Sequence, residues 1–250
     1  MDSPCAVQQA QDLDASRARG VADAAGFASE RAALVAVLAG GLGRRMGGAK
    51  ASATLSGRPL IEYPLEAARE AGMEVVVVAK RASALPALDA RVLYEPDEPR
   101  HPLCGILAAL RARGRPVVAV ACDMPFVNGA LLAWLARGGD RRWDAGEQAS
   151  HAARGDGDGE DGRCAGLAPR ATVVRLEDRL QPLPALYCPA DAPALARALA
   201  AERSLRATLA ELAPRTIGAD ALARFGDPRR LLFSVNDARD LRVASEWMAR

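Results

Sequence analysis

The densest chemistry in the sequence lies in LAGGLGRRMGGAK, residues 38–50, where Gly40, Gly41, Gly43, Gly47 and Gly48 accompany Arg45 and Lys50. Gly40 and Gly41 let a backbone come close to a ligand and turn its N–H groups outward. The later glycines keep the rest of the loop free of side-chain bulk. Arg45 and Lys50 add two cations, and charge-assisted hydrogen bonds to phosphate are among the strong ones. A glycine-rich turn with solvated arginines is the plainer alternative, and the cations inside the same loop weigh against it. Two familiar phosphate motifs fail. Lys50 stands between Ala49 and Ala51, so the Walker pattern is absent, and Gly41-x-Gly43 is followed by Met46, which breaks G-x-G-x-x-G. An ordinary P-loop ATPase and a dehydrogenase are thereby excluded.

A second feature is the acid that ends PVVAVACDMPF, residues 116–126. Asp123 follows an apolar run, and Pro125 turns the chain away behind it. Such a carboxylate can hold Mg²⁺, which takes one or two carboxylates plus substrate phosphates. It can also cap the next segment or satisfy loop N–H groups. The phosphate-type loop expected on the same sheet edge favours the metal. Cys122 reads as a small core residue rather than a nucleophile.

These residues need elements to position them. Continuous apolar runs at Leu34–Ala39, Glu74–Ala79, Val92–Tyr94 and Pro116–Ala121 predict strands buried on both faces. Between them, 59–71 and 103–113 predict helices closed by Gly72 and Gly114, and 129–136 predicts another. Strand and helix thus alternate, which argues for parallel βαβ units, with ligands at the carboxyl ends of the strands. Pattern resumes at 171–176 and 186–188. Helices are expected at 190–201, 204–212 and 237–248, and a final strand at Leu231–Val235. Residues 1–32 read as an N-terminal extension without an apolar stripe, and 33–250 as the domain. GDGDGEDG at 155–162 marks 140–166 as a flexible surface insertion.

The bulk numbers narrow the classes. Lys plus Arg number 33 and Asp plus Glu 31, so no general polyanion or nucleic-acid binding is implied. Aromatic residues make up 4%, too few for base-stacking platforms. Cys5, Cys104, Cys122, Cys164 and Cys188 form no C-x-x-C, and His101 and His151 have no second ligand pattern, which speaks against zinc. No apolar run is long enough for a membrane span, and the first 30 residues lack the centre of a secretory signal. The expectation is a cytoplasmic protein.

Five segments together carry a family resemblance. LAGG…RMGG..K is followed by Gly57-Arg58-Pro59-Leu60-Ile61. Then come HPLCGILAAL at 101–110, CDMPF at 122–126, Leu180-Gln181-Pro182-Leu183 with Ala185-Leu186-Tyr187, and Ser234-Val235-Asn236 with Asp240-Leu241. In this order, over roughly residues 34–248, they resemble the molybdenum cofactor guanylyltransferases. The resemblance implies a Rossmann-like nucleotidyltransferase fold, with a mostly parallel central sheet and helices on both faces. It implies GTP, Mg²⁺ and an acceptor that is the terminal phosphate of molybdopterin or the molybdenum cofactor. It also implies transient contacts with molybdoenzymes or other cofactor-synthesis proteins. By position, Leu38, Ala39, Gly40, Gly41 and Gly105 would bind the nucleoside, and Arg45 and Lys50 the triphosphate. Asp123 would hold Mg²⁺, and Asn236 would contact the phosphate or acceptor region. His101 stands where the family usually has Gly, and Ser234 where it has Asn. The acid preceding the HPLCG segment is Glu95 or Asp97. Two rivals remain: a transferase of the same fold that uses CTP, against which Gly40-Gly41 weighs by resemblance, or acts on a sugar phosphate, and a non-catalytic nucleotide-binding relative, against which Arg45, Lys50 and Asp123 together weigh.

Overall fold

The structure is a computed structural model that describes residues 32–41, 43, 50–139 and 171–249. The expected extension and the 140–166 insertion therefore lie outside the described residues, as does Arg45.

Leu34–Leu38 forms β1, an interior strand of a seven-stranded sheet. Thr54–Leu55 (β2) and Arg58–Pro59 (β3) make a small separate hairpin, and Glu62–Glu70 is α1. Val75–Ala79 (β4) and Arg91–Tyr94 (β5) follow, then α2 at Pro102–Arg113, β6 at Val117–Ala121 and α3 at Gly129–Ala136. Beyond residue 170 come β7 (Thr172–Leu176), β8 (Arg179–Tyr187), α4 (Ala192–Ala200), α5 (Leu205–Leu212) and β9 (Arg215–Ile217). Short helices α6 (Ala219–Leu222) and α7 (Pro228–Leu231) lead to α8 (Ala238–Met248). The sheet order is β5-β4-β1-β6-β8-β7-β9, and β8 alone runs against the rest.

The strand runs are continuously apolar because both faces are covered. Val35, Val37, Val77, Val118 and Val120 pack under α1 and α3 with Ile61, Leu65, Leu131 and Leu135. Their neighbours Leu34, Ala36, Val76, Val78, Val117 and Ala119 pack on the opposite face under α2, α4 and α5 with Leu103, Ile106, Leu195 and Leu209. The chain moves from β1 outward to β4 and β5, then returns across β1 to β6. The strand order thus reverses at β1, and the carboxyl edge on either side of it is the place where open α/β sheets bind ligands. Among the described residues no helix is long and apolar enough to cross a membrane.

Two expectations are corrected. Leu231–Val235 is not a strand. Leu231 ends α7, which Asp227 caps through its side chain. Beyond it the backbone makes one bond toward the sheet, Val235 N to Asp123 O at 2.9 Å. The apolar residues instead fill separate contacts: Leu231 joins the α1/α3 layer, Phe233 meets Phe126 and Trp247, and Val235 packs with Leu55, Leu60 and Tyr63. The strand expected at 186–188 begins far earlier, at Arg179. Prolines 182 and 184 hide it, since proline cannot donate to a ladder. The structure accommodates them in a register shift: Val173 faces Ala185 while Val174 faces Gln181, so residues 182–184 are skipped by the pairing.

Candidate active site

Every strand that meets the reversal point ends in a polar or cleft-facing residue. β1 leads into Ala39, Gly40 and Gly41, β4 into Lys80, β5 into Glu95, and β6 into Cys122 and Asp123. The N-terminus of α2 adds His101 and Gly105, and the segment before α8 adds Ser234 and Asn236. Leu38, Gly40, Gly41, Lys50, Gly105 and Asp123 line one cleft of about 400 Å³, within the range of about 300–1,000 Å³ usual for small-molecule sites. The skipped bulge of β8 supplies Leu183 as apolar wall.

On the phosphate side, Lys50 opens a short 3₁₀ turn, Lys50–Ser52. Its ammonium pairs with the Asp123 carboxylate, and Lys50 Nζ also donates to Asn236 Oδ1 at 2.9 Å. Asp123 is buried, at 4% exposure. Asn236 is held in turn: its N–H donates to Asp240 Oδ2 at 2.8 Å and its amide to Ser234 O at 3.0 Å. Asp237 caps α8 through bonds from Arg239 N and Asp240 N, so its carboxylate is engaged in helix capping. Asp123 fits a Mg²⁺ that takes one protein carboxylate and otherwise substrate phosphates. Among the described residues no group of three or more His, Cys, Asp or Glu could hold a metal by itself. Gly43 adopts φ +52°, and a Cβ there would stand 2.6 Å from Lys50 Cβ. Glycine at 43 thus serves the seating of Lys50.

The opposite side of the cleft holds Lys80, which the sequence reading missed, and Glu95, one of the two acids it left open. Lys80 and Glu95 are buried at 7% and 8% exposure, with Nζ and Oε1 3.5 Å apart. Lys80 Nζ also donates to Pro96 O. Glu95 N donates to Ala79 O at 3.0 Å, which extends the β4–β5 ladder by one residue and fixes the inward turn of Glu95. Of the two acids left open by the sequence, Glu95 thus lines the main cleft, while Asp97 borders a smaller adjoining recess beside Ala39 and Arg100. Burial pushes the Glu95 carboxyl above the usual range, and the Lys80 ammonium opposes that rise. Gly40 and Gly105 leave room for this carboxylate. A Cβ on Gly40 would lie 1.8 Å from Glu95 Oε1, and one on Gly105 3.0 Å from Oε2 and 3.1 Å from Leu38 Cδ2. A Cβ on Gly41 would meet no atom of the described residues within 4 Å beyond its chain neighbours, and Gly41 lines the cleft. Ala39 is buried, its N–H bonded to Val78 O at 2.7 Å.

Two further groups are structural. His101 caps α2, Nδ1 accepting from Leu103 N at 3.1 Å, and burial lowers its pKa from the usual 6.5. Burial pushes the Cys122 thiol up to about 12, which removes it as a nucleophile at neutral pH.

Comparison with known proteins adds to this geometry. Residues 35–216 match the family model of the MobA-like NTP transferase domain. A molybdenum cofactor guanylyltransferase of Cereibacter sphaeroides is 40% identical over 129 residues, covering 48% of this chain and 62% of that protein. One from Pseudomonas entomophila is 38% identical over 108 residues, covering 41% and 56%. The matched segment thus spans less than two thirds of the relatives' length. Among solved structures, molybdopterin-guanine dinucleotide biosynthesis protein A from Archaeoglobus fulgidus superposes with a TM-score of 0.64 at 27% identity, over 86% of this chain and 98% of that one. A nucleotidyl transferase from Methanothermobacter thermautotroptrophicus shares the fold, with a TM-score of 0.58 at 21% identity over 87% and 98%.

Proposed function

Since the chain belongs to the MobA-like NTP transferase domain family, we propose that it transfers GMP from GTP to the terminal phosphate of molybdopterin or the molybdenum cofactor. One observation carries the reading: a buried acid, Asp123, shares a lysine with Asn236 on one wall of a cleft whose other wall is a buried carboxylate, Glu95. The first wall suits a triphosphate and the second a base.

In the reaction an acceptor phosphate oxygen attacks the α-phosphorus of GTP. The bond from that phosphorus to the bridging oxygen breaks, and pyrophosphate leaves. The acceptor is already an anion, so no general base is required. The protein's task is orientation and charge stabilisation. Lys50 would hold the phosphates and stabilise the charge of the departing pyrophosphate, with Arg45 beside it by resemblance. Asn236 steadies the Lys50 ammonium. Asp123 would hold Mg²⁺, whose chemistry is to neutralise phosphate charge. Gly41 lets the backbone approach the nucleotide.

Guanine is favoured over cytosine by Glu95. A carboxylate accepts hydrogen bonds only. Guanine offers it two adjacent donors, N1–H and the 2-amino group, whereas the pairing edge of cytosine offers one donor, the 4-amino group, beside acceptors at N3 and O2.

The test is incubation with each of the four NTPs, Mg²⁺ and molybdopterin, followed by mass analysis. The expected product is the guanine dinucleotide of the pterin, formed with GTP alone. A cytidine product would move the chain to the cytidylyl rival, and nucleotide binding without any product to the non-catalytic one.

A further inference from the structure

Lys80 has no assigned part in phosphate binding or transfer, yet it is a buried cation on the base side of the cleft. Its backbone N–H donates to Ser83 Oγ at 3.2 Å, which fixes the turn after β4. Its ammonium meets two acceptors from the chain leaving β5, the carbonyl of Pro96 and Oε1 of Glu95. Its stem passes the open side of Gly40, where a Cβ would lie 3.6 Å from Lys80 Cγ. Glu95 is thereby gripped between Lys80, Gly40 and Gly105. We propose that Lys80 is a positioning residue for base selection: it fixes the Glu95 carboxylate against the two glycines, where its oxygens accept from N1–H and the 2-amino group of guanine. This rests on the guanylyl-transfer reading above.

The physical need is clear from the surroundings. A neutral carboxyl group carries a proton on one oxygen, and that oxygen would face one of guanine's two donors. Burial favours this wrong form. The charged groups around Glu95 do not help equally. Asp97, on the same loop, works against ionisation, and the thiol of Cys104 on α2 is neutral. Lys50, Arg100, His101 and Asp123 line the same cleft, but Lys50 is engaged by Asp123 and Arg100 by Glu98. The charge that opposes this burial is the Lys80 ammonium. An ammonium is also the right size, since a compact charge on a flexible stem can bridge a carbonyl and a carboxylate.

Inosine triphosphate is the probe, since it differs from GTP only in lacking the 2-amino group. With wild-type protein, kcat/KM for GTP should exceed that for ITP by about tenfold or more, the scale of one hydrogen bond to a charged group. In Lys80→Gln, which keeps a side-chain donor for Pro96 but drops the charge, the ratio should fall to within about threefold of one. The loss should fall on KM for GTP rather than kcat, as for lost ground-state binding. Lys80→Arg should restore most of the preference. Equal use of GTP and ITP by the wild type, or an unchanged ratio in Lys80→Gln, overturns the proposal. Should Lys80→Gln melt at working temperature, the double variant Lys80→Gln with Glu95→Gln decides, because it leaves no buried charge unpaired. It should be no worse with GTP than Glu95→Gln alone, whereas a further multiplicative loss would show that Lys80 acts independently of Glu95. Preference for CTP overturns both the guanylyl-transfer reading and this one. Preference for GTP with an unaltered GTP/ITP ratio in Lys80→Gln overturns this one alone.

Discussion

Asn236 accepts a hydrogen bond from Lys50 Nζ at 2.9 Å across 186 positions of the chain. The end of the glycine loop is thus tied to the segment before the last helix, and both converge on Asp123. The tie holds the ammonium at the phosphate wall rather than supporting the core, since Lys50 and Asn236 belong to none of the apolar clusters. Asn236→Ala should therefore lower kcat/KM by about tenfold, the worth of one hydrogen bond to a charged group, and shift Tm by no more than a degree or two. Steady-state kinetics and thermal melts on the same preparation check this. A large fall in Tm with normal kinetics would make Asn236 a structural latch instead.

Asp123→Asn separates the two roles open to that carboxylate. Asn keeps the size and can still accept a hydrogen bond from Lys50, so a purely structural function should survive. The negative charge on which Mg²⁺ depends is lost. Turnover should fall by roughly two orders of magnitude or more, the scale of losing one main electrostatic stabiliser. Added Mg²⁺ should recover only part of it, and the melting temperature should barely move. Near-normal turnover would send the search for the metal ligand elsewhere, with Asp97 first, because Asp237 is occupied in capping α8.

Gly40 and Gly41 are neighbours with opposite reasons for being glycine. A methyl group at 40 would overlap Glu95 Oε1, while at 41 it would meet no atom of the described residues beyond its chain neighbours. Gly40→Ala should displace Glu95 from its place beside Lys80, lower Tm by several degrees and weaken GTP binding by tenfold or more, as expected when a buried ion pair is disturbed. Gly41→Ala should leave Tm unchanged and lower only nucleotide affinity. Melting curves and GTP titrations of the two variants, run in parallel, distinguish them. Equal stability of both would mean that Glu95 yields at no cost.

This pair also shows how far the residues could be read before the structure. The valine runs of β1, β4 and β6 were legible because strands buried on both faces need no alternation. Asp123 was legible as a candidate because it ends such a run on the same sheet edge as the glycine loop, although an acid there can also serve as a cap. Lys80 bears the same mark, a cation ending the VVVVA run of β4, and went unread because nothing local pairs it. Its partner lies on the next strand. The same distance in sequence hid the meaning of Gly40 and Gly105, whose glycine character answers a carboxylate from β5 as well as a ligand. Glu95 could not be told from Asp97, since only the bond from Glu95 N to Ala79 O extends the ladder to one and not the other. Arg45 lies outside the described residues, so its part remains an expectation of the resemblance.

His101 stands where the resemblance leads one to expect glycine, and it makes the N-cap of α2 pH-dependent. Nδ1 must be unprotonated to accept from Leu103 N. Burial lowers the folded-state pKa below the usual 6.5, so over the window between the two values the unfolded chain binds more protons than the folded one. Stability therefore rises with pH across that window. The contribution is fully present above about 6.5, the unfolded value, and is lost as pH falls through the lower folded value. In His101→Asn the cap is kept by a residue that accepts without titrating in this range. Wild-type Tm should fall more than that of His101→Asn between pH 7.5 and 5.5, with the two converging at the upper end. Glu95, whose raised pKa acts in the opposite sense, is common to both proteins and cancels in the difference. Thermal melts at half-unit pH steps supply the measurement, and parallel Tm profiles for the two proteins would show that the His101 cap survives protonation.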